Sequence, residues 1–242
     1  MAEMAADGRG ERASRRRARV REQLLDIAER AFTASAYQDV RMDDLAEEAD
    51  ISVGSIYGHF GSKDGLYLAL RERAVEQMAE YLGQCARPEY SPLERVMACG
   101  DAYLRFHLEH PGLFRFLAFD RVAPAGQSDE AQRADVGDRL AEVITWFEGL
   151  VADAISSGEA DAGYDARLVS RFLWAAWNGV VALSLRGDEL ALTDDDVAAC
   201  LQMGRRLVNE GLTAPAHRDE AGRSRVRLVD TSAPPTTLRP AE

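Results

Sequence analysis

Apolar residues along this chain recur every three or four positions, and nowhere do they alternate over the length of a strand. That period admits helices and excludes sheets. Val20, Leu24, Ile27, Ala28, Ala31 and Phe32 fall on one face of a first helix. The chain breaks at Tyr37 to Val40. Two short helices are then expected, Met42 to Ala49 and Val53 to Phe60, divided by a turn at Asp50-Ile51-Ser52. Ser52 suits the N-cap of the second, because its hydroxyl can accept from a backbone N–H of the first turn. Gly61 ends that helix, and Ser62 caps a long one running to about Cys85. Further on the pattern gives Leu93 to His110, stopped by Pro111, then a short helix through Phe119 and a loop with Pro124 and Gly126. Glu130 to Ser157, Asp165 to Leu185 and Asp194 to Gly211 complete it, the last capped by Thr193. The expected fold class is all-α.

With 46% hydrophobic residues among 242, a sizeable core can form. No apolar run approaches the length of a membrane span. The arginine-rich start has no apolar stretch behind it, so no secretory signal is read and a cytoplasmic location is expected. Cys85, Cys99 and Cys200 are far apart and form no CxxC pair, which leaves buried free thiols as the simplest reading. The net charge of −12 argues against nucleic acid until its distribution is considered. Residues 9–21 hold seven arginines against one acid, whereas residues 68–212 hold 14 basic and 24 acidic residues. A basic arm on an acidic body has the asymmetry of a DNA-binding chain.

Met42 to His59 has the logic of a helix-turn-helix. Leu45, Ala49, Ile51 and Ile56 are apolar where two short helices lock together, and Ala46 is small where they cross. The run from Ile51 to Leu66, ISVGSIYGHFGSKDGL, resembles the signature of tetracycline-repressor (TetR-like) regulators, Val-Ser-x-Gly-Thr-Leu-Tyr-x-His-Phe-x-Ser-Lys-x-x-Leu. Asp44-Leu45-Ala46-Glu47-Glu48-Ala49 is similar to that family's first helix-turn-helix element. The resemblance implies a three-helix DNA-binding domain joined to a larger helical domain that dimerises and encloses a ligand. The domains expected are a disordered basic arm (1–14), a helix-turn-helix domain (15–67), a ligand-binding and dimerisation domain (68–212) and a disordered, proline-containing tail (213–242).

By this resemblance the protein is a dimeric transcriptional regulator, a repressor released from a palindromic operator by a small lipophilic or aromatic molecule. DNA contact is expected from Arg16, Arg17 and Arg41, from Ser52, Val53, Gly54, Ser55, Tyr57 and His59, and from Lys63, the only lysine in the chain. The chain departs from the family pattern at several positions. Asp50 stands in the turn where glycine is usual, and Val40 and Arg41 replace the usual threonine cap, with Asp39 as a substitute. Val53 and Gly58 leave the reading helix without charge, so it cannot supply bidentate arginine–guanine contacts. The arm and DNA shape are expected to contribute more.

In the larger domain, Tyr103, Phe106, His107, Trp146, Trp174, Trp177 and Asn178 are the expected pocket residues, from a wider set of aromatics that includes Phe114, Phe119, Phe147 and Phe172. Arg105 is a further polar candidate. The dimer contact is assigned to Ala175, Gly179 and Ala182 on one helix and to Val197, Leu201, Gly204 and Val208 on the last, although the pattern alone fits an intramolecular core face nearly as well. No cofactor and no metal are expected. His107 and His110 flank Glu109, but no second ligand motif accompanies them. Thr193 followed by three aspartates reads as a capped helix start rather than a cation site. The competing readings are an all-α enzyme, which would need a catalytic constellation not found here, and a ligand-independent DNA-binding protein, which would have a filled core.

Overall fold

The computed structural model describes residues 2–118, 130–184 and 186–232. Phe119, Pro124 and Gly126 lie outside the described residues. Nine α-helices occur among those described: α1 (Ala2–Ala34), α2 (Met42–Glu48), α3 (Val53–Phe60), α4 (Lys63–Gly83), α5 (Pro92–Glu109), α6 (Pro111–Ala118), α7 (Glu130–Ser156), α8 (Ala166–Ser184) and α9 (Asp194–Leu212). Extended pairing among the described residues is confined to two isolated bridges, Ala160 with Thr213 and Arg218 with Ser224.

The helix boundaries follow from local chemistry. Ser91 accepts from the Glu94 N–H at 3.3 Å while Glu94 accepts from the Ser91 N–H at 3.1 Å, a reciprocal cap that starts α5. Thr193 and Asp196 do the same for α9. Pro111 ends α5 and opens α6, where its missing N–H costs nothing. The first helix starts at Ala2, so residues 2–14 continue α1 rather than forming a disordered arm. Alanine, glutamate, methionine and arginine, all good helix formers, outnumber the two glycines there.

The chain divides into two compact units. The first comprises residues 1–75 and 112–137, the second residues 76–111 and 138–242. The boundary therefore falls inside α4, beyond the expected position at 67, and most of α6 belongs to the first unit. Its sequence explains why. Leu113, Phe114, Phe116 and Leu117 are buried, the Phe116 ring meets Tyr67 edge-on at 5.4 Å, and Arg115 donates to the Thr33 carbonyl at 3.1 Å.

In the second unit α9 packs on both α5 and α8. The segment after α9, expected to be disordered, is folded through residue 232. Val229 and Thr231 are buried, and Arg227 pairs with Glu94 at 3.1 Å. Thr231 donates from both its N–H and its hydroxyl to Asp101 at 2.8 Å. Few apolar residues are needed here, because polar side chains and backbone groups tie the segment down one by one.

Candidate functional site

The core of the first unit positions α3. Leu45, Ala46 and Ala49 of the α2 region are buried, and Ile56 is 0% exposed in α3, so the two short helices lock through apolar contacts. Asp50 holds the turn between them at φ 53°, a left-handed conformation that aspartate tolerates better than most residues. Ser52 caps α3 by accepting from the Ser55 N–H at 3.2 Å. The opposite side of α3 is open. Ser52, Gly54, Tyr57 and Gly58 are exposed and Val53, Ser55 and His59 are half-buried, with Tyr57 44% exposed although it is aromatic.

Three arginine positions behave differently. Arg16 is exposed on α1. Arg17 donates to the Gly58 carbonyl at 3.1 Å, so it ties α1 to the end of α3. Arg41 is the N-cap residue of α2, makes no side-chain cap and leaves its guanidinium exposed near Asp43. Asp39 is therefore not the cap; it lies in a 3-10 turn, Tyr37–Asp39. Arg21 lies over the Phe60 ring at 5.4 Å. Burial, then the charges of Arg17 and Arg21, pull His59 below its ordinary pKa.

Lys63 is half-buried. It donates to the Val40 carbonyl at 2.5 Å and lies 4.6 Å from the Tyr37 ring centroid. Tyr37 in turn donates to Asp64. Burial lowers the Lys63 pKa, opposed by Asp39 and Asp64. Its ammonium thus already has a structural task, with donors to spare. The start of α4 is unusually close to the end of α3: a Cβ on Gly65 would lie 2.0 Å from the Phe60 carbonyl oxygen.

The second unit holds an apolar cavity of about 70 Å³. Tyr103, Trp174 and Trp177 line it, with Leu82, Met97, Cys99, Val143, Ile144, Phe147, Leu173 and Arg205 among the other walls. The Tyr103 hydroxyl donates to Asn178 Oδ1 at 2.9 Å, so Asn178 stands behind the wall rather than in it. Three expected residues are elsewhere. Phe106 is fully buried against Tyr81 and His110, His107 is buried outside the lining, and Trp146 is partly exposed while its neighbours Ile144 and Phe147 turn inward. Arg105 binds Gln84, Thr231 and Glu109 instead. Glu109 accepts from the Tyr81 hydroxyl, which holds its pKa below the ordinary value. Among the described residues no cluster of His, Cys, Asp or Glu could hold a metal ion.

The stripe Val197, Leu201, Gly204 and Val208 is an inward face, not an outer one. Val197 and Leu201 are buried, a Cβ on Gly204 would meet the Trp177 ring at 3.2 Å, and Val208 lines the cavity. Small and apolar residues there serve helix packing within one protomer. The outer apolar face is made by Leu168, Phe172, Ala175 and Gly179 of α8 and by Met203 and Leu207 of α9, with Phe172 69% and Leu207 66% exposed. Ala182 is half-buried at its edge. Helical spacing alone cannot say which of two apolar stripes faces inward.

A helix whose one side is locked by Ile56 and whose other side offers small residues and one tyrosine, on a unit with a basic first helix, defines a helix-turn-helix transcriptional regulator. The comparisons agree. The description "Bacterial regulatory proteins, tetR family" matches residues 24–70, and "Tetracyclin repressor-like, C-terminal domain" matches residues 96–208. The chain belongs to the TetR family of DNA-binding transcriptional regulators. It is 27% identical to the HTH-type transcriptional activator FasR of Mycolicibacterium smegmatis, over 72% of this chain and 73% of that protein. It is 20% identical to the fatty acid metabolism regulator protein of Bacillus subtilis, over 69% of this chain and 84% of that one. Among solved structures, FadR from Bacillus subtilis in complex with stearoyl-CoA has the same fold, with a TM-score of 0.61 at 19% identity, covering 79% of this chain and 98% of that chain. The family and these relatives are regulators, not enzymes, and no described helix is long and apolar enough to cross a membrane.

Proposed function

We propose that the protein is a homodimeric repressor that leaves a palindromic operator when an apolar small molecule fills the cavity of its second unit. The observation that carries the DNA-binding half is the exposed side of α3, where Tyr57 is 44% exposed on a helix fixed from behind by Ile56. In this reading α3 enters the major groove, which admits one helix. Ser55, Gly54 and the Val53 methyls approach base edges, while Tyr57 and His59 reach phosphates. Ser52 contributes less to base reading, since its oxygen already caps α3. Arg16, Arg41 and Lys63 supply the charge for phosphates, and Arg17 orients α3 through Gly58 as well as adding charge.

Dimerisation is assigned to the outer face of α8 and α9. Leu168, Phe172, Met203 and Leu207 together with Ala175 and Gly179 form an apolar patch that a second copy would cover by two-fold symmetry. Effector control is assigned to the cavity. At about 70 Å³ it is far below the ~300 Å³ of a small ligand pocket, so occupation must part its walls. One of those walls is Leu82 of α4, and the same helix carries Gly65 against the end of α3. Displacing α4 is the route by which a ligand would disturb the reading helix, and the coupling is reciprocal. The names of the relatives, a fatty acid metabolism regulator and a structure with stearoyl-CoA, support an acyl-type effector.

Fluorescence anisotropy tests the reading, using duplex from the promoter of the protein's own gene and duplexes selected from random sequence. The expected result is binding by a dimer that weakens steeply with salt, with a selected site of two-fold symmetry. Failure to select any sequence with folded, dimeric protein would contradict it.

A further inference from the structure

We propose that the segment following α9, residues 215–232, is a latch that keeps the cavity closed, with Thr231 as its catch. This rests on the effector reading of the cavity given above. The segment lies beyond both family-matched spans. It runs across α9 and α5. Asn209 of α9 donates to the Val226 carbonyl at 2.9 Å, and Arg227 pairs with Glu94 of α5 at 3.1 Å. Arg205 of α9 donates to the Val229 carbonyl. Most of the segment is exposed, and within it only Val229 and Thr231 are buried.

At Thr231 the ties of three helices meet. Its N–H and its hydroxyl both donate to Asp101 Oδ2, in α5, at 2.8 Å. The other oxygen of Asp101 accepts from Arg205 of α9 at 2.8 Å. Thr231 Oγ1 accepts from Arg105 of α5 at 3.1 Å. Arg105 also reaches α4: it donates to Gln84 Oε1, just past the end of that helix, at 3.3 Å, and its guanidinium lies over the Tyr81 ring at 5.4 Å. The same three helices supply walls of the cavity, Leu82 from α4, Met97, Cys99 and Tyr103 from α5, and Arg205 and Val208 from α9. A space of about 70 Å³ takes a ligand only if walls part, and parting these walls strains the bonds that meet at Thr231. Asp101 and Thr231 are buried, and their bonds to charged partners are stronger than neutral ones and costly to leave unmade. The docked segment therefore opposes ligand binding, and by reciprocity a bound ligand must loosen the segment. Held by individual polar bonds, with two buried side chains, the segment is the part of this junction that opens most easily.

Thr231→Val removes the hydroxyl and keeps the side chain's shape, whereas Thr231→Ser keeps the hydroxyl. Methyl decanoate serves as the probe. Its binding is followed by tryptophan emission with no DNA present, since two of the three tryptophans, Trp174 and Trp177, line the cavity. Thr231→Val should bind the ester about tenfold more tightly than the parent, and Thr231→Ser should bind it like the parent. Hydrogen exchange reads the latch without any ligand. In Thr231→Val the amides of residues 79–85, 97–105 and 201–208 should exchange faster together, while residues 24–60 keep parent rates. One test needs no variant: saturating methyl decanoate should speed exchange of residues 226–232 in the parent. Ester affinity in Thr231→Val equal to or weaker than the parent's, acceleration spread evenly over the whole chain, or unchanged exchange of residues 226–232 in the ester-bound parent would overturn the latch. If neither protein binds the ester, the effector reading of the cavity fails. Joint acceleration of the three helices in Thr231→Val then still supports the latch, and parent-like rates overturn it.

Discussion

Two glycine-to-alanine changes only seven positions apart should move stability in opposite directions. At Gly65 an added Cβ would sit 2.0 Å from the Phe60 carbonyl oxygen. Carbon and oxygen settle no closer than about 3.3 Å even in a favourable contact, so the end of α3 and the start of α4 would have to separate by roughly 1.3 Å. Overpacking of this kind costs about 1–3 kcal/mol, and a backbone partner that cannot rotate away puts it at the upper end. Alanine recovers at most about 1 kcal/mol through helix propensity. The net loss for Gly65→Ala is about 2 kcal/mol, which lowers the melting temperature by roughly 4–8 °C in a chain of this size. At Gly58 nothing lies within 4 Å of the added atom, so Gly58→Ala keeps only the propensity gain and should raise the melting temperature by roughly 2–4 °C. Thermal unfolding followed by circular dichroism at 222 nm reads both. If Gly65→Ala is as stable as the parent, the close approach of α3 and α4 is wrong.

Other outcomes follow from the same geometry. Asp50→Gly should leave the protein at least as stable as the parent, whereas Asp50→Val should lose about 1–2 kcal/mol in urea unfolding, because φ is 53° there. His59 has a lowered pKa in the free protein from burial, Arg17 and Arg21, and phosphate beside it in the complex would raise that pKa. DNA binding then takes up a proton, so affinity should strengthen as pH falls through and below the ordinary histidine range, and His59→Gln should flatten that dependence in anisotropy titrations. Phe172→Glu combined with Leu207→Glu should yield a folded monomer by light scattering, since both side chains are exposed in the single protomer; a persistent dimer would move the interface elsewhere.

Much of this architecture was legible in the sequence, for reasons that can be named. Helical spacing and caps such as Ser52 and Thr193 act within one turn, so boundaries at α3 and α9 fall close to where local chemistry puts them, whereas the Ser91 cap of α5 was not read. The turn at Asp50 was legible for the same reason. The inward stripe of α9 was not, because Val197 and Leu201 obey the same period as Met203 and Leu207, and only packing against α5 and α8 separates them. Arg205 was illegible as a cavity residue: its partners Asp101 and Val229 are distant in sequence, and the segment that supplies Val229 has little apolar period. That segment is held by individual polar bonds, which leave no periodic trace.

The central claim is that the uncovered side of α3 reads DNA. Anisotropy with the selected operator, comparing the parent with Tyr57→Ala and Lys63→Ala over a salt series, tests it most directly. Tyr57→Ala should weaken binding by roughly tenfold with no change in melting temperature, since its ring is exposed. Lys63→Ala should reduce the slope of log affinity against log salt by about one per protomer. Parent-like affinity for Tyr57→Ala at every salt concentration, with a parent-like slope for Lys63→Ala, would contradict the claim that this face of α3 is where the protein meets its operator.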